Sequence, residues 1–131
     1  MVNRRLFIGA LALTASLSFS PLAYSMSPQT YTQKAFAAAQ AAGKPILLHI
    51  TAPWCPTCKA QKPILGKLET EPKFKNLVVL NIDFDSQKPL LRKLRVVQQS
   101  TLIAYKGKAE VGRSVGDTNA ASIAALIAKT L

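Results

Sequence analysis

The sequence predicts an α/β fold, a three-layer sandwich whose mixed central sheet of about four strands is flanked by helices. Three observations predict it. Ile46-Leu47-Leu48-His49-Ile50 and the run from Leu77 to Ile82 are short and nearly all apolar, as strands covered on both faces are. A helical pattern separates them, so the two strands run parallel through a crossover. Two further strand patterns, Thr101 to Tyr105 and Ala109 to Val115, flank Lys106-Gly107-Lys108 and pair as a hairpin, which makes the sheet mixed. With 131 residues, 49% of them hydrophobic, the chain has room for one domain with a packed core.

Residues 1–25 read as an export signal, and residues 26–131 as the domain. Arg4 and Arg5 precede an apolar stretch from Leu6 to about Phe19, and Ala23-Tyr24-Ser25 supplies the small residues of a cleavage site. The stretch is short and interrupted by Ser and Thr, which suits a cleaved leader better than a membrane span. Arg4-Arg5 also approximates a twin-arginine pattern, so both export routes stay open. Either route predicts a periplasmic location, where thiol chemistry acts on exported proteins. The formal charge is +11; without the leader, 15 basic residues face 6 acidic ones. Such a surplus fits nucleic acid, anionic membrane or acidic partners, or simply a solvated basic exterior. The last is the expectation, with no nucleic-acid partner and a monomeric chain.

In the domain, Thr30-Tyr31-Thr32-Gln33 forms a capping box. Tyr31, Ala35, Phe36 and Ala39 follow at helical spacing, and Gly43 with Pro45 ends that helix. No strand pattern precedes it, so a first strand is absent or very short. After the strand at 46–51, a helix runs from Pro56 to about Leu68, burying Ala60, Ile64, Leu65 and Leu68, with Pro63 inside it removing one backbone bond. Glu71-Pro72 breaks the chain before the second strand. Ser86 to Leu94 is a short helix packing Leu90, Leu91 and Leu94. A last helix starts near the capping residues Asp117-Thr118 and buries Ile123, Leu126 and Ile127.

Both cysteines of the chain lie in Trp54-Cys55-Pro56-Thr57-Cys58, between a strand and a helix, where Cys-x-x-Cys reads as redox-active. With the helix starting at Pro56, Cys55 meets free N–H groups and the positive end of the dipole, which favour a thiolate. Cys58, one turn on, can attack a mixed disulfide at Cys55 and release the partner. Exposure and helix position together single out Cys55 as nucleophile. A zinc site needs about four ligands, and His49 is the only other histidine or cysteine in the chain. An inert bridge closing so small a loop would stabilise little.

Trp54-Cys55-Pro56-Thr57-Cys58-Lys59 resembles the active-site segment of the thioredoxin family. Pro63 matches the family's helix proline, and Leu80-Asn81-Ile82-Asp83, Ser100-Thr101-Leu102, Lys106-Gly107-Lys108 and Val115-Gly116 follow in thioredoxin-like order, so the resemblance spans Tyr31 to Leu131. It implies a thioredoxin-like sandwich and a thiol–disulfide oxidoreductase with Cys55 as nucleophile, Cys58 as resolving thiol, and Trp54, Ser100 and Thr101 docking the substrate. No cofactor is implied beyond a redox-active Cys55–Cys58 disulfide, and no metal. Partners would be protein disulfides, reduced with electrons from a membrane-bound donor; an oxidant or isomerase, or a metal-delivery protein using the same cysteines, is the alternative.

Three positions depart from the family pattern. His49 stands where thioredoxins keep a buried acid, and an imidazole suits the same proton transfer. Pro56-Thr57 replaces Gly-Pro, at positions that tune the reduction potential. Ser100 stands where the family carries a cis-proline. A cis bond before a non-proline residue costs about 3–4 kcal/mol, so Gln99–Ser100 is expected trans, with the serine hydroxyl toward the sulfurs. Restoring proline at position 100 is then expected to raise activity.

Overall fold

The computed structural model describes residues 28–131; the expected leader, residues 1–25, lies outside the described residues. In chain order the elements are β1 (Gln29–Thr30), α1 (Gln33–Ala41), β2 (Pro45–Thr51), α2 (Pro56–Glu69), a 3₁₀ turn (Pro72–Phe74), β3 (Val78–Asp83), α3 (Lys88–Lys93), β4 (Thr101–Lys106), β5 (Ala109–Val115) and α4 (Ala120–Ala128). They build one five-stranded sheet in the order β1-β3-β2-β4-β5. β2 pairs parallel with β3 and antiparallel with β4, and β4 pairs antiparallel with β5. The sheet is therefore mixed and flanked by helices, as expected, with two-residue β1 as the fifth strand.

β2 occupies the centre. Its side chains alternate between two cores, as the period of a strand demands. Ile46, Leu48 and Ile50 join Tyr31, Phe36, Leu80, Ile82, Leu91 and Ile103 beneath α1 and α3. Leu47 joins Leu65, Leu68, Phe74, Val79, Leu102, Ile123 and Ile127 beneath α2 and α4. Two aromatic contacts fasten α1 to the sheet, Tyr31 on Phe36 at 5.6 Å and Phe36 edge-on to Tyr105 at 5.2 Å. α4 lies close to β5 because Gly112 has no side chain; a Cβ there would meet Leu126 at 2.8 Å.

Local details differ from the sequence reading where chain segments compete for the same residues. Thr32, not Thr30, caps α1, accepting from Ala35 N, because Thr30 is taken into β1. Asn119, rather than Asp117-Thr118, caps α4. On α2 the buried stripe is Cys58, Gln61, Leu65 and Leu68, and Ala60 is exposed. The helix is rotated so that Cys58 turns inward, which carries position 61 in and position 60 out.

Candidate active site

β2 delivers the chain to the cysteines. Cys55 N donates to Ala52 O at 3.2 Å, closing a tight turn at the end of the strand. Cys55 then takes the N-cap position of α2, in extended conformation (φ −84°, ψ 111°), with Pro56 in the first turn where no N–H is needed. Its sulfur accepts the N–H of Cys58 at 3.1 Å. The sulfur is therefore itself the helix cap, and a thiolate there gains both that hydrogen bond and the dipole. Cys55 and Cys58 are disulfide-bonded, with Cα atoms 5.3 Å apart.

The expectation that Cys55 is exposed does not hold in this oxidised form. Cys55 is 1% exposed and Cys58 fully buried, both packed with Ala52 and against Phe84. What separates the two sulfurs is helix position, since only Cys55 sits at the cap.

Trp54 is 55% exposed, and its indole N–H donates to Asp85 Oδ2 at 2.9 Å. Asp85 is placed by the turn after β3, where Asp83 Oδ1 accepts from Asp85 N, Ser86 N and Ser86 Oγ. The Ser86 backbone N–H, then its hydroxyl, hold the Asp83 carboxyl below the usual carboxylate range. The Asp-x-Asp-Ser spacing after the strand is an Asx-turn pattern, which could have pointed to Asp85.

Beneath the disulfide, His49 is buried on the α2 side of β2, beside Asn81 in the sheet register. Its Nε2 lies 3.1 Å from Gln61 Oε1. Burial pushes the imidazole pKa below its ordinary value; the hydrogen bond with Gln61 and the nearby Asn81 side chain work the other way, and Lys62 adds to the lowering. His49 is therefore neutral at neutral pH, a state able to accept a proton.

Ser100 lies across β2 from this histidine, its N–H donating to Ile50 O at 2.8 Å. The peptide bond before it is trans, as expected, and the residue adopts φ +58°. Its hydroxyl does not aim at the sulfurs; it donates to Gln99 O at 2.6 Å. The short hydroxyl reaches the adjacent carbonyl without leaving the loop. Its carbonyl accepts from Gly116 N at 3.0 Å and Gln61 Nε2 at 3.1 Å. Thr101 is buried, and its hydroxyl donates to Gln98 O at 2.7 Å, bracing the same loop.

Gln61 is the residue that sequence reasoning missed. Its residue type gives no sign of burial, yet it is completely buried. The spacing Cys58, Gln61, Leu65, Leu68 held the signal, because a resolving cysteine must face inward. Among the described residues, no three of His, Cys, Asp and Glu come together as metal ligands would.

Residues 27–129 match the family model described as Thioredoxin. The chain is 35% identical over 101 residues to the thioredoxin of Chlamydia trachomatis serovar D, covering 77% of this chain and 96% of that protein. It is 32% identical over 88 residues to the bifunctional thioredoxin reductase/thioredoxin of Mycobacterium leprae, covering 67% of this chain but only 19% of that larger protein. Among solved structures it is similar to Trxlp from Edwardsiella tarda EIB202, with 42% identity, a TM-score of 0.74, and coverage of 77% of this chain and 98% of that one. A capped Cys-x-x-Cys pair on this mixed sheet, with matches of this extent, has one meaning: the chain belongs to the thioredoxin family, whose members are thiol–disulfide oxidoreductases.

Proposed function

We propose that the protein is exported to a bacterial periplasm and there reduces disulfides of other proteins. The observation that carries the chemistry is the sulfur of Cys55 standing as the cap of α2, bonded by Cys58 N. In the reduced protein the Cys55 thiolate attacks one sulfur of a client disulfide. The client S–S bond breaks, and its other sulfur leaves as a thiolate that takes a proton from solvent. Cys58 then gives its proton to His49 and attacks the Cys55 sulfur, so that the mixed disulfide breaks and the second client thiolate departs. The client gains two electrons, and the Cys55–Cys58 disulfide left behind is reduced in turn by a dithiol of a membrane-bound donor. The exposed Trp54 and the loop of Ser100 and Thr101 border the client strand. Export is supported by Arg4-Arg5, the apolar stretch after them and Ala23-Tyr24-Ser25.

Cys58→Ser is expected to accumulate mixed disulfides with clients in periplasmic extracts, and Cys55→Ser to accumulate none. The reverse pattern overturns the assignment of roles. In single-turnover reduction of insulin, His49→Ala should slow client release about 100-fold, the size of a general base, while leaving the first attack unchanged. An equilibrium potential with glutathione nearer about −270 mV than about −120 mV supports a reductase; the opposite result makes the protein an oxidant. N-terminal sequencing of exported protein is expected to begin near Met26.

A further inference from the structure

His49 and Ser100, two of the departures from the family pattern, form one hydrogen-bonded unit with the buried Gln61. Gln61 Nε2 donates to Ser100 O at 3.1 Å and to Asp117 O at 2.9 Å. Both partners are carbonyl oxygens, which only accept, so the orientation of the Gln61 amide is settled by chemistry. Turned the other way, its oxygen would face two carbonyl oxygens. Gln61 Oε1 therefore faces His49 Nε2 at 3.1 Å and can only accept from it. Gln61, His49 and Ser100 are buried and Asp117 is half-buried, so an unmatched group on the Gln61 amide would be costly.

We propose that Gln61 is a positioning residue that locks His49 as the Nε2–H tautomer and so reserves Nδ1 as the atom that receives the resolving cysteine's proton. A neutral imidazole carries one N–H, and Gln61 decides where it is. Asn81, opposite His49 in the register, also interacts with the imidazole, and its buried Oδ1 has no hydrogen-bond partner. Nδ1 is bonded to the ring carbon that joins the Cβ, and with the proton held at Nε2 it is the ring's one basic nitrogen. The charged group acting on this imidazole is Lys62 of α2; β3 contributes the neutral Asn81 and β4 the apolar Leu102, while Cys58 lies on the same buried stripe of α2 as Gln61. Gln61 also ties the proton site to the loop, because the Ser100 carbonyl that it holds belongs to the residue whose N–H is bonded to Ile50 O.

The role of Gln61 in turnover rests on His49 being the proton acceptor, whereas the tautomer does not, and the two are measured separately. The chain has a single histidine, so imidazole ¹⁵N–¹H correlation spectra of the full labelled protein report His49 alone. At pH 8 the wild type is expected to show a protonated Nε2 and a bare Nδ1 in both redox states. An Nδ1–H ring, or an averaged mixture, overturns the proposal without any variant. Gln61→Met, close in size and without the acceptor, should give a tautomer mixture while amide spectra remain those of the folded protein. An unchanged Nε2–H ring in that variant also overturns it. In single-turnover insulin reduction, Gln61→Met should slow client release about 2- to 10-fold, in proportion to the share of wrongly protonated rings. The same substitution in a His49→Ala background should add almost nothing. Full additivity in this cycle overturns the positioning role. If His49→Ala alone leaves release unchanged, the proton-acceptor reading fails and the tautomer result stands by itself.

Discussion

On the face that carries α1 and α3, β2 contributes Ile46, Leu48 and Ile50 to a core of aliphatic and aromatic side chains. On the face that carries α2 and α4, the same strand contributes Leu47, His49 and Thr51, and the packing changes along its length. Far from the cysteines that second face is as apolar as the first, with Leu65, Leu68, Phe74 and Ile127. Toward the N-terminus of α2 it becomes a column of polar groups running from His49 through Gln61 to the carbonyls of Ser100 and Asp117. One strand therefore supports a purely structural interior on one side and a hydrogen-bonded interior beneath a disulfide on the other. Buried polar groups stabilise only when fully matched, so they persist here in a compact and nearly complete network. The apolar side needs only volume and shape. The comparison teaches that stability and chemistry can be perturbed separately in this small sheet.

The largest effect should come from the apolar face. Leu48 is completely buried there, so Leu48→Ala should cost about 2–5 kcal/mol in urea unfolding. Insulin reduction per folded molecule should remain at the wild-type level. A matching loss of specific activity would mean that the two faces are coupled more tightly than their packing indicates.

Ser100→Pro, on the rim of the polar column, should lower both stability and activity. Proline has no N–H to donate to Ile50 O, and its ring cannot adopt φ +58°. The expected loss is about 2–4 kcal/mol from the orphaned carbonyl and the displaced loop. Activity should fall, because the Ser100 carbonyl that orients Gln61 moves with it. This reverses the expectation from sequence that proline would improve the site. A gain in activity would show that the trans, positive-φ loop is not what the column depends on.

The smallest effect separates the faces by pH. The folded-state pKa of His49 lies below its unfolded value of about 6.5, so the unfolded chain binds the proton more readily. Its contribution to stability is constant above about pH 6.5 and falls as pH drops from there toward the folded pKa, at most about 1.4 kcal/mol per pH unit. Burial holds the Glu69 pKa up and works in the opposite direction, but it is common to both proteins compared. His49→Gln should therefore flatten the pH dependence of urea midpoints below pH 6.5, whereas Leu48→Ala should shift the curve down without changing its shape. An unaltered slope in His49→Gln would return His49 to the role of filler.

The strands, helices and reactive pair were legible in the sequence because each rests on local physics. Apolar runs at 46–50 and 77–82 can only be covered strands in a chain this short, and Gly107 with its lysine neighbours marks the hairpin. Cys55-Pro56 starts a helix at the cysteine because proline fits the first turn. The burial of Gln61, the positive φ of Ser100 and the bond from Trp54 to Asp85 were not read from it, although the spacing of Cys58, Gln61, Leu65 and Leu68 and the Asx-turn pattern at Asp83 carry partial signals. The first depends on how α2 is rotated about its axis, which is set when Cys58 turns inward against Ala52 and Phe84. The second depends on β4 meeting β2 so that Ser100 N reaches Ile50 O. The polar column joins residues 49, 61, 100 and 117, whose partners are 12 to 56 positions apart in the chain. No periodicity or cap signals such a meeting. Sequence by itself determined which segments fold and where the sulfurs stand; only the tertiary structure decided which polar groups share the interior beneath them, because a buried hydrogen bond is made by segments that meet late and are far apart in the chain.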